Sequence, residues 1–91
     1  MANVCCHCFV SGRVQGVNYR QTTYGEAVRR GLTGWVKNLA DGRVEVMLCG
    51  ELDAVIAMRD WLWEGPKAAK VSAVATEEVA WQNFSQFEVR H

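Results

Sequence analysis

The run Thr33-Gly34-Trp35-Val36-Lys37-Asn38-Leu39-Ala40-Asp41-Gly42-Arg43-Val44-Glu45-Val46-Met47-Leu48-Cys49 decides the fold. Two strand-forming stretches, Thr33–Leu39 and Arg43–Cys49, flank Ala40-Asp41-Gly42. Asp-Gly between alternating runs is the strongest short-range signal of a β-hairpin. Val44, Val46 and Leu48 form the apolar face of its second strand, and Arg43, Glu45 and Met47 the mixed face. Outward on one side lies a helical pattern that begins at Tyr19 or Arg20. Tyr24 and Val28, beside Thr23 and Ala27, make adjoining i,i+4 rows, and Arg29-Arg30-Gly31 stops it. Outward on the other side, Glu51 to Glu64 is a second helix with the stripe Leu52, Val55, Ile56, Met58 and Leu62, ended by Gly65-Pro66.

Strands close both ends. Val4 to Ser11 alternates, with Val4, Cys6, Cys8 and Val10 on one face and Cys5, His7 and Phe9 on the other. Lys70–Ala80 reads as a fourth strand and Phe84–Arg90 as a short final edge strand. The order β-α-β-β-α-β, with right-handed crossovers, predicts an α+β ferredoxin-like sandwich: an antiparallel sheet, two helices on one face, and the other face open. Residues 1–91 fit one such domain. The architecture serves enzymes, metal carriers and RNA binders alike, so function must come from the site.

Composition narrows the classes. Ten Lys and Arg balance ten Asp and Glu, leaving no net basic charge to recruit nucleic acid or an anionic membrane. The distribution is uneven: residues 1–45 hold six basic residues against three acidic, and the remainder four against seven. An anion site is therefore expected in the first half. No apolar run approaches membrane-spanning length, and Met1-Ala2-Asn3-Val4 lacks the basic start of a signal peptide. A cytoplasmic monomer is expected.

Gly12-Arg13-Val14-Gln15-Gly16-Val17-Asn18 joins the first strand to the first helix. Unpaired N–H groups and the positive end of the helix dipole collect at such a junction. Gly16 lets the backbone curl so that successive N–H groups converge, and Arg20 adds a fork that matches a phosphoryl group. A basic residue in a first turn opposes the dipole, and a bound anion would offset that. Read alone, this loop is either a phosphate nest or an ordinary glycine turn.

Gly12-Arg13-Val14-Gln15-Gly16-Val17-Asn18-Tyr19-Arg20 with Thr23, and Gly34-Trp35-Val36-Lys37-Asn38, resemble the two signature regions of the acylphosphatase family. The similarity continues through Asp41-Gly42-Arg43-Val44-Glu45-Val46, Trp61-Leu62, Gly65-Pro66 and Phe87-Glu88-Val89, and so covers nearly the whole chain. The resemblance implies hydrolysis of acyl phosphates to carboxylate and inorganic phosphate, with neither metal nor cofactor. It implies that Arg20 and the backbone N–H groups of Gln15, Gly16, Val17, Asn18, Tyr19 and Arg20 hold the phosphoryl oxygens. It further implies that Asn38 positions the attacking water. Asn38 also fits by parity, sharing a strand face with Val36 at the strand's end. Without the resemblance it reads as a turn-entry asparagine, and Arg20 as a surface helix residue. Thr23 reads either as fixing the loop or as an ordinary helix residue. Tyr19 stands where the family usually carries phenylalanine, so its hydroxyl needs a partner. Asn18 occupies a variable position.

Cys5-Cys6-His7-Cys8 suggests a metal cluster, but strand alternation sends Cys6 and Cys8 to one face and Cys5 and His7 to the other. No metal site is expected. The topology places the start of the first strand opposite the end of the third, which brings Cys5 and Cys49 within reach of a disulfide. A reducing compartment would instead leave both as thiols. Trp63 and Trp81 are expected to be partly exposed. The rival class is an RNA-recognition module, which stacks bases on aromatics of its central strands. Here the third strand offers Arg43, Glu45 and Met47 on the open face, and the first only Phe9. A further rival is a silent module that binds phosphate without hydrolysis.

Overall fold

The hairpin at the centre forms in the expected register, with β2 (Thr33–Asn38) antiparallel to β3 (Val44–Glu51) and Val36 opposite Val46. Its turn closes through Leu39 N–H to Arg43 O (2.8 Å) and Gly42 N–H to Leu39 O (3.2 Å). The Asp41 carboxylate accepts from Arg43 N–H (3.1 Å) and Arg43 Nε (2.8 Å). These bonds pull the Asp41 carboxyl below its ordinary pKa, the backbone bond contributing most. The structure, a computed structural model, describes residues 2–91.

Around the hairpin stand β1 (Asn3–Arg13), α1 (Tyr19–Arg29), α2 (Leu52–Glu64), β4 (Lys70–Val79) and β5 (Phe87–Arg90). The sheet order is β4-β1-β3-β2-β5. β1 lies antiparallel between β3 and β4, so the four strands of the β-α-β-β-α-β order are antiparallel as expected. The fifth differs in extent and direction. It starts at Phe87 rather than Phe84 and runs parallel to β2, from Gly34 opposite Phe87 to Lys37 opposite Arg90, which makes the whole sheet mixed. The cause is geometric: a strand returning after β4 runs opposite to β4, and beside β2 that direction is parallel.

One face of the sheet packs on the helices. Cys6, Cys8, Val10, Val36, Val44, Val46 and Leu48 meet Tyr19 and Ala27 of α1 and Val55, Met58 and Leu62 of α2. Both helices bury narrower rows than their patterns suggest. On α1 the buried row is Tyr19, Thr23, Ala27, spaced by four. Val28, one position off that row, is half exposed. On α2 the row is Val55, Met58, Leu62, while Leu52 and Ile56 turn partly to solvent. Trp63 and Trp81 are exposed as anticipated.

The opposite face is only partly open. The connection from β4 to β5, residues 80–86, crosses it at the end where β1 begins and β3 stops. Phe84 packs there on Cys5, Met47 and Cys49, and Gln82 N–H points at the Cys5 sulfur (3.2 Å). Cys5 and Cys49 face each other across β1 and β3 and are joined in a disulfide beneath this strap, both fully buried. Cys6 and Cys8 lie on the helix side as free thiols. Burial, reinforced by Cys6 beside it, pushes the Cys8 thiol pKa far up. Farther along the open face, His7 pairs with Glu45 (2.6 Å). Arg43 lies over the Phe9 ring at 4.8 Å and Arg90 over Trp35 at 4.9 Å.

Candidate active site

Residues 14–18 carry the chain from β1 into α1, and each fixes a different feature of the bend. Val14 is buried in the core and anchors the entry. The Gln15 carboxamide donates to Leu39 O (2.8 Å) and Arg43 O (2.9 Å), tying the loop to the neck of the hairpin. Gly16 has φ +75°, and a Cβ there would meet nothing within 4 Å, so backbone conformation rather than space selects glycine. Val17 packs against the core. Asn18 is left-handed too (φ 65°, ψ 22°), a region asparagine tolerates better than most residues.

The start of α1 is consequently uncapped. The Asn18 carbonyl accepts the first helical bond, from Thr22 N–H (3.1 Å), and a second from Thr22 Oγ1 (2.8 Å). Its carboxamide makes no capping bond, and no acidic residue stands in the first turn. The N–H groups at the head of the helix thus lack intrahelical partners and present the positive end of the dipole. Beside them opens a cleft of about 230 Å³ lined by Val14, Gly16, Asn18, Tyr19, Arg20, Gln21 and Asn38.

Arg20 is half-buried, and its Nη1 donates to the carbonyl of Arg90 on β5 (3.0 Å). That bond steadies the guanidinium while leaving donors for a ligand. Asn38, at the end of β2, faces the loop from across the cleft. Its Oδ1 is buried without a hydrogen-bond partner among the described residues. A buried unpaired carbonyl oxygen is costly unless something from outside completes it. The lining contains no carboxylate, histidine or thiol, so a cation would find no anionic ligand there.

Of the residues singled out in the sequence, Gly16, Asn18, Tyr19, Arg20 and Asn38 line the cleft together. Gln15 and Val17 do not; their side chains are spent on the hairpin and the core. Tyr19 is buried as floor rather than as a reacting group. Its hydroxyl donates to Leu62 O (2.6 Å) and its ring lies near Trp61. Gly65 (φ +64°) sits so close that a Cβ would come within 2.6 Å of the ring. Burial, and secondarily the nearby Cys8, raises the Tyr19 pKa, so the hydroxyl stays a proton donor. Thr23 is buried, and its Oγ1 has no partner among the described residues, so no hydrogen bond from it fixes the loop. Val14, Gln21 and the Arg90 carbonyl were not singled out. Gln21 carried a usable signal, its place in the first turn beside Arg20. The Arg90 contact depends on the parallel strand pairing and carried none.

Fold and cleft together define a small α+β protein in which an uncapped helix start, an arginine and a lone carboxamide border one cleft. Comparison with known proteins makes this specific. The acylphosphatase family model matches residues 6–89. An acylphosphatase of Pseudomonas paraeruginosa is 51% identical over 90 residues, covering 99% of each chain. The solved acylphosphatase of Coxiella burnetii superposes with TM-score 0.94 at 48% identity, covering 97% of this chain and 93% of its own. That of Bacillus subtilis gives the same score at 32% identity, covering 97% and 99%. The chain belongs to the acylphosphatase family, hydrolases that act on acid anhydrides.

Proposed function

We propose that this chain hydrolyses the carboxyl–phosphate bond of acyl phosphates, with Arg20 and the loop N–H groups holding the phosphoryl oxygens and Asn38 positioning the water. The observation that carries the reading is the unpartnered, buried Oδ1 of Asn38, set in the same cleft as Arg20 and the uncapped head of α1. Oδ1 can accept from a water and orient it toward phosphorus. As the water oxygen bonds to phosphorus, the bond from phosphorus to the acyl oxygen breaks and its electron pair leaves on a carboxylate. A carboxylate is a stable leaving group, so no general acid is required. The water's proton passes to a phosphoryl oxygen of the substrate. What remains is stabilisation of the equatorial oxygens, for which an arginine fork and a nest of amides are suited.

No metal or cofactor enters this scheme. Among the described residues no helix is long and apolar enough to cross a membrane. We take the location as cytoplasmic, where the buried position of Cys5 and Cys49 would shield their bond from thiols. We take the protein as a monomer. The RNA-recognition alternative loses ground because Phe9 and Trp35 already carry guanidinium groups on their rings.

The test is hydrolysis of benzoyl phosphate with EDTA present, comparing wild type with Arg20→Gln and Asn38→Ala. A rate that survives chelation and falls by about a hundredfold or more in each folded variant is expected. Wild type no faster than buffer would defeat the reading.

A further inference from the structure

We propose that the open face of the sheet carries a second binding site, a hollow beside Phe9 that takes a guanidinium head group. The hollow measures about 120 Å³ and is lined by His7, Phe9, Ala75, Thr76 and Glu77. None of these residues borders the cleft at the head of α1, so the site stands apart from the hydrolytic reading. Strand register explains the hollow. Ala75 of β4 lies opposite Phe9 of β1, and Glu77 lies opposite His7. Alternation puts these four side chains on the face away from the helices. Ala75 contributes only a methyl group next to the phenyl and imidazole rings, and the missing bulk is the hollow. Pockets for whole small molecules begin at about 300 Å³, so this one admits a head group.

Charge and ring chemistry identify the occupant. Glu77 is the one carboxylate of the lining, and among the described residues its side chain makes no ion pair. Across β1 from it, Glu45 holds the His7 ring at 2.6 Å. An anion would therefore meet carboxylates on both sides of His7, and a cation is favoured. The rings favour a cation that is planar and weakly hydrated. This face already shows that pairing twice: Arg43 lies 4.8 Å from the centre of the Phe9 ring, and Arg90 lies 4.9 Å from that of Trp35. Arg43 adjoins β3 and the hollow adjoins β4, on either side of the strand that bears Phe9. A guanidinium in the hollow can fork onto the Glu77 carboxylate with its plane against an aromatic wall. An alkylammonium brings the charge but neither the fork nor the plane.

The probe is agmatine, titrated into isotope-labelled protein and followed by backbone amide resonances, with sodium chloride of equal ionic strength as the blank. Saturable shifts centred on His7, Phe9 and residues 75–77 are expected, with a dissociation constant of about 10 mM, as suits one exposed ion pair beside an aromatic wall. Butylamine should bind about threefold more weakly or worse. Glu77→Gln should weaken agmatine binding about tenfold, and Ala75→Leu, which fills the hollow, should abolish the response. Both positions are exposed on an edge strand. The spread of resonances reports that each variant folds, and either one carries the test alone. The same titration with a blocked tripeptide bearing a central arginine separates two sources of the head group. Tighter binding than agmatine assigns it to a polypeptide, and equal or weaker binding to a free small molecule. No saturable shift at these residues up to about 100 mM agmatine, or an unchanged affinity in either folded variant, overturns the proposal. Equal affinity for butylamine overturns the guanidinium assignment.

Discussion

The Tyr19 hydroxyl donates to the carbonyl of Leu62 at 2.6 Å, and Leu62 is the residue four places before Pro66. In a continuing helix that carbonyl would accept from the residue four places on, and proline has no N–H to give. The floor of the cleft thus supplies the donor that the end of α2 lacks. The first helix and the second are joined by one buried hydrogen bond directly beneath the site.

Tyr19→Phe is therefore expected to destabilise the fold by about 1–3 kcal/mol, because it leaves a buried carbonyl without a donor. Urea unfolding followed by tryptophan fluorescence would show the midpoint falling with an unchanged slope. Unaltered stability would mean that another group or a water takes over the carbonyl.

Gln15→Leu removes both bonds between the loop and the hairpin neck, at Leu39 O and Arg43 O. Because Leu39 adjoins Asn38, the loop and the residue proposed to position the water lose their common brace. Catalysis should drop between about tenfold and a hundredfold, as small misplacements do. Steady-state kinetics with benzoyl phosphate would measure it, and a wild-type rate would show that the loop holds its shape alone.

The depressed Asp41 pKa ties the hairpin turn to pH. An aspartate stabilised in the folded state contributes fully above its ordinary value, near 3.8, and loses that contribution as pH falls through the lower folded value. Wild type should thus be more stable than Asp41→Asn at pH 6, and the gap should narrow toward pH 2.5. Thermal melts of both proteins across that range test this. A gap that stays constant would assign the difference to geometry instead of charge.

Reduction should weaken the fold through the Cys5–Cys49 bridge. The two residues are 44 apart in sequence, and constraining a loop of that size in the unfolded chain is worth up to about 4 kcal/mol in the chain-entropy picture. Denaturation with and without dithiothreitol, together with peptide masses after alkylation, would show it. Equal midpoints and equal masses would mean free thiols. Cys6 and Cys8, buried on the other face, should resist iodoacetamide until the protein unfolds.

Much of this was legible in the residues because short-range chemistry dictates it. Asp41-Gly42 determines the hairpin, alternation sorts Cys6 and Cys8 from Cys5 and His7, and parity places Asn38 with Val36. The rest depends on partners distant in sequence. Phe87–Arg90 is too short to reveal by pattern that it lies parallel to β2, so the Arg20–Arg90 bond was invisible. Gln15 looked like another loop amide because nothing local announces that its side chain spans to Leu39 and Arg43. Leu52, Ile56 and Val28 matched a helical stripe, but each helix meets the sheet along one narrow row.

The position of β1 has a kinetic consequence. His7 stands opposite Met47 on one side and Glu77 on the other, so the central strand completes its pairing only when segments 40 and 70 residues away arrive. Sheets dominated by such pairings fold slowly, over milliseconds to seconds. A chain that enters folding with Cys5 already bonded to Cys49 has the first of those two searches done, with the register of β1 on β3 set in advance. Oxidised protein should refold faster than reduced protein, through its folding rate and not only through slower unfolding.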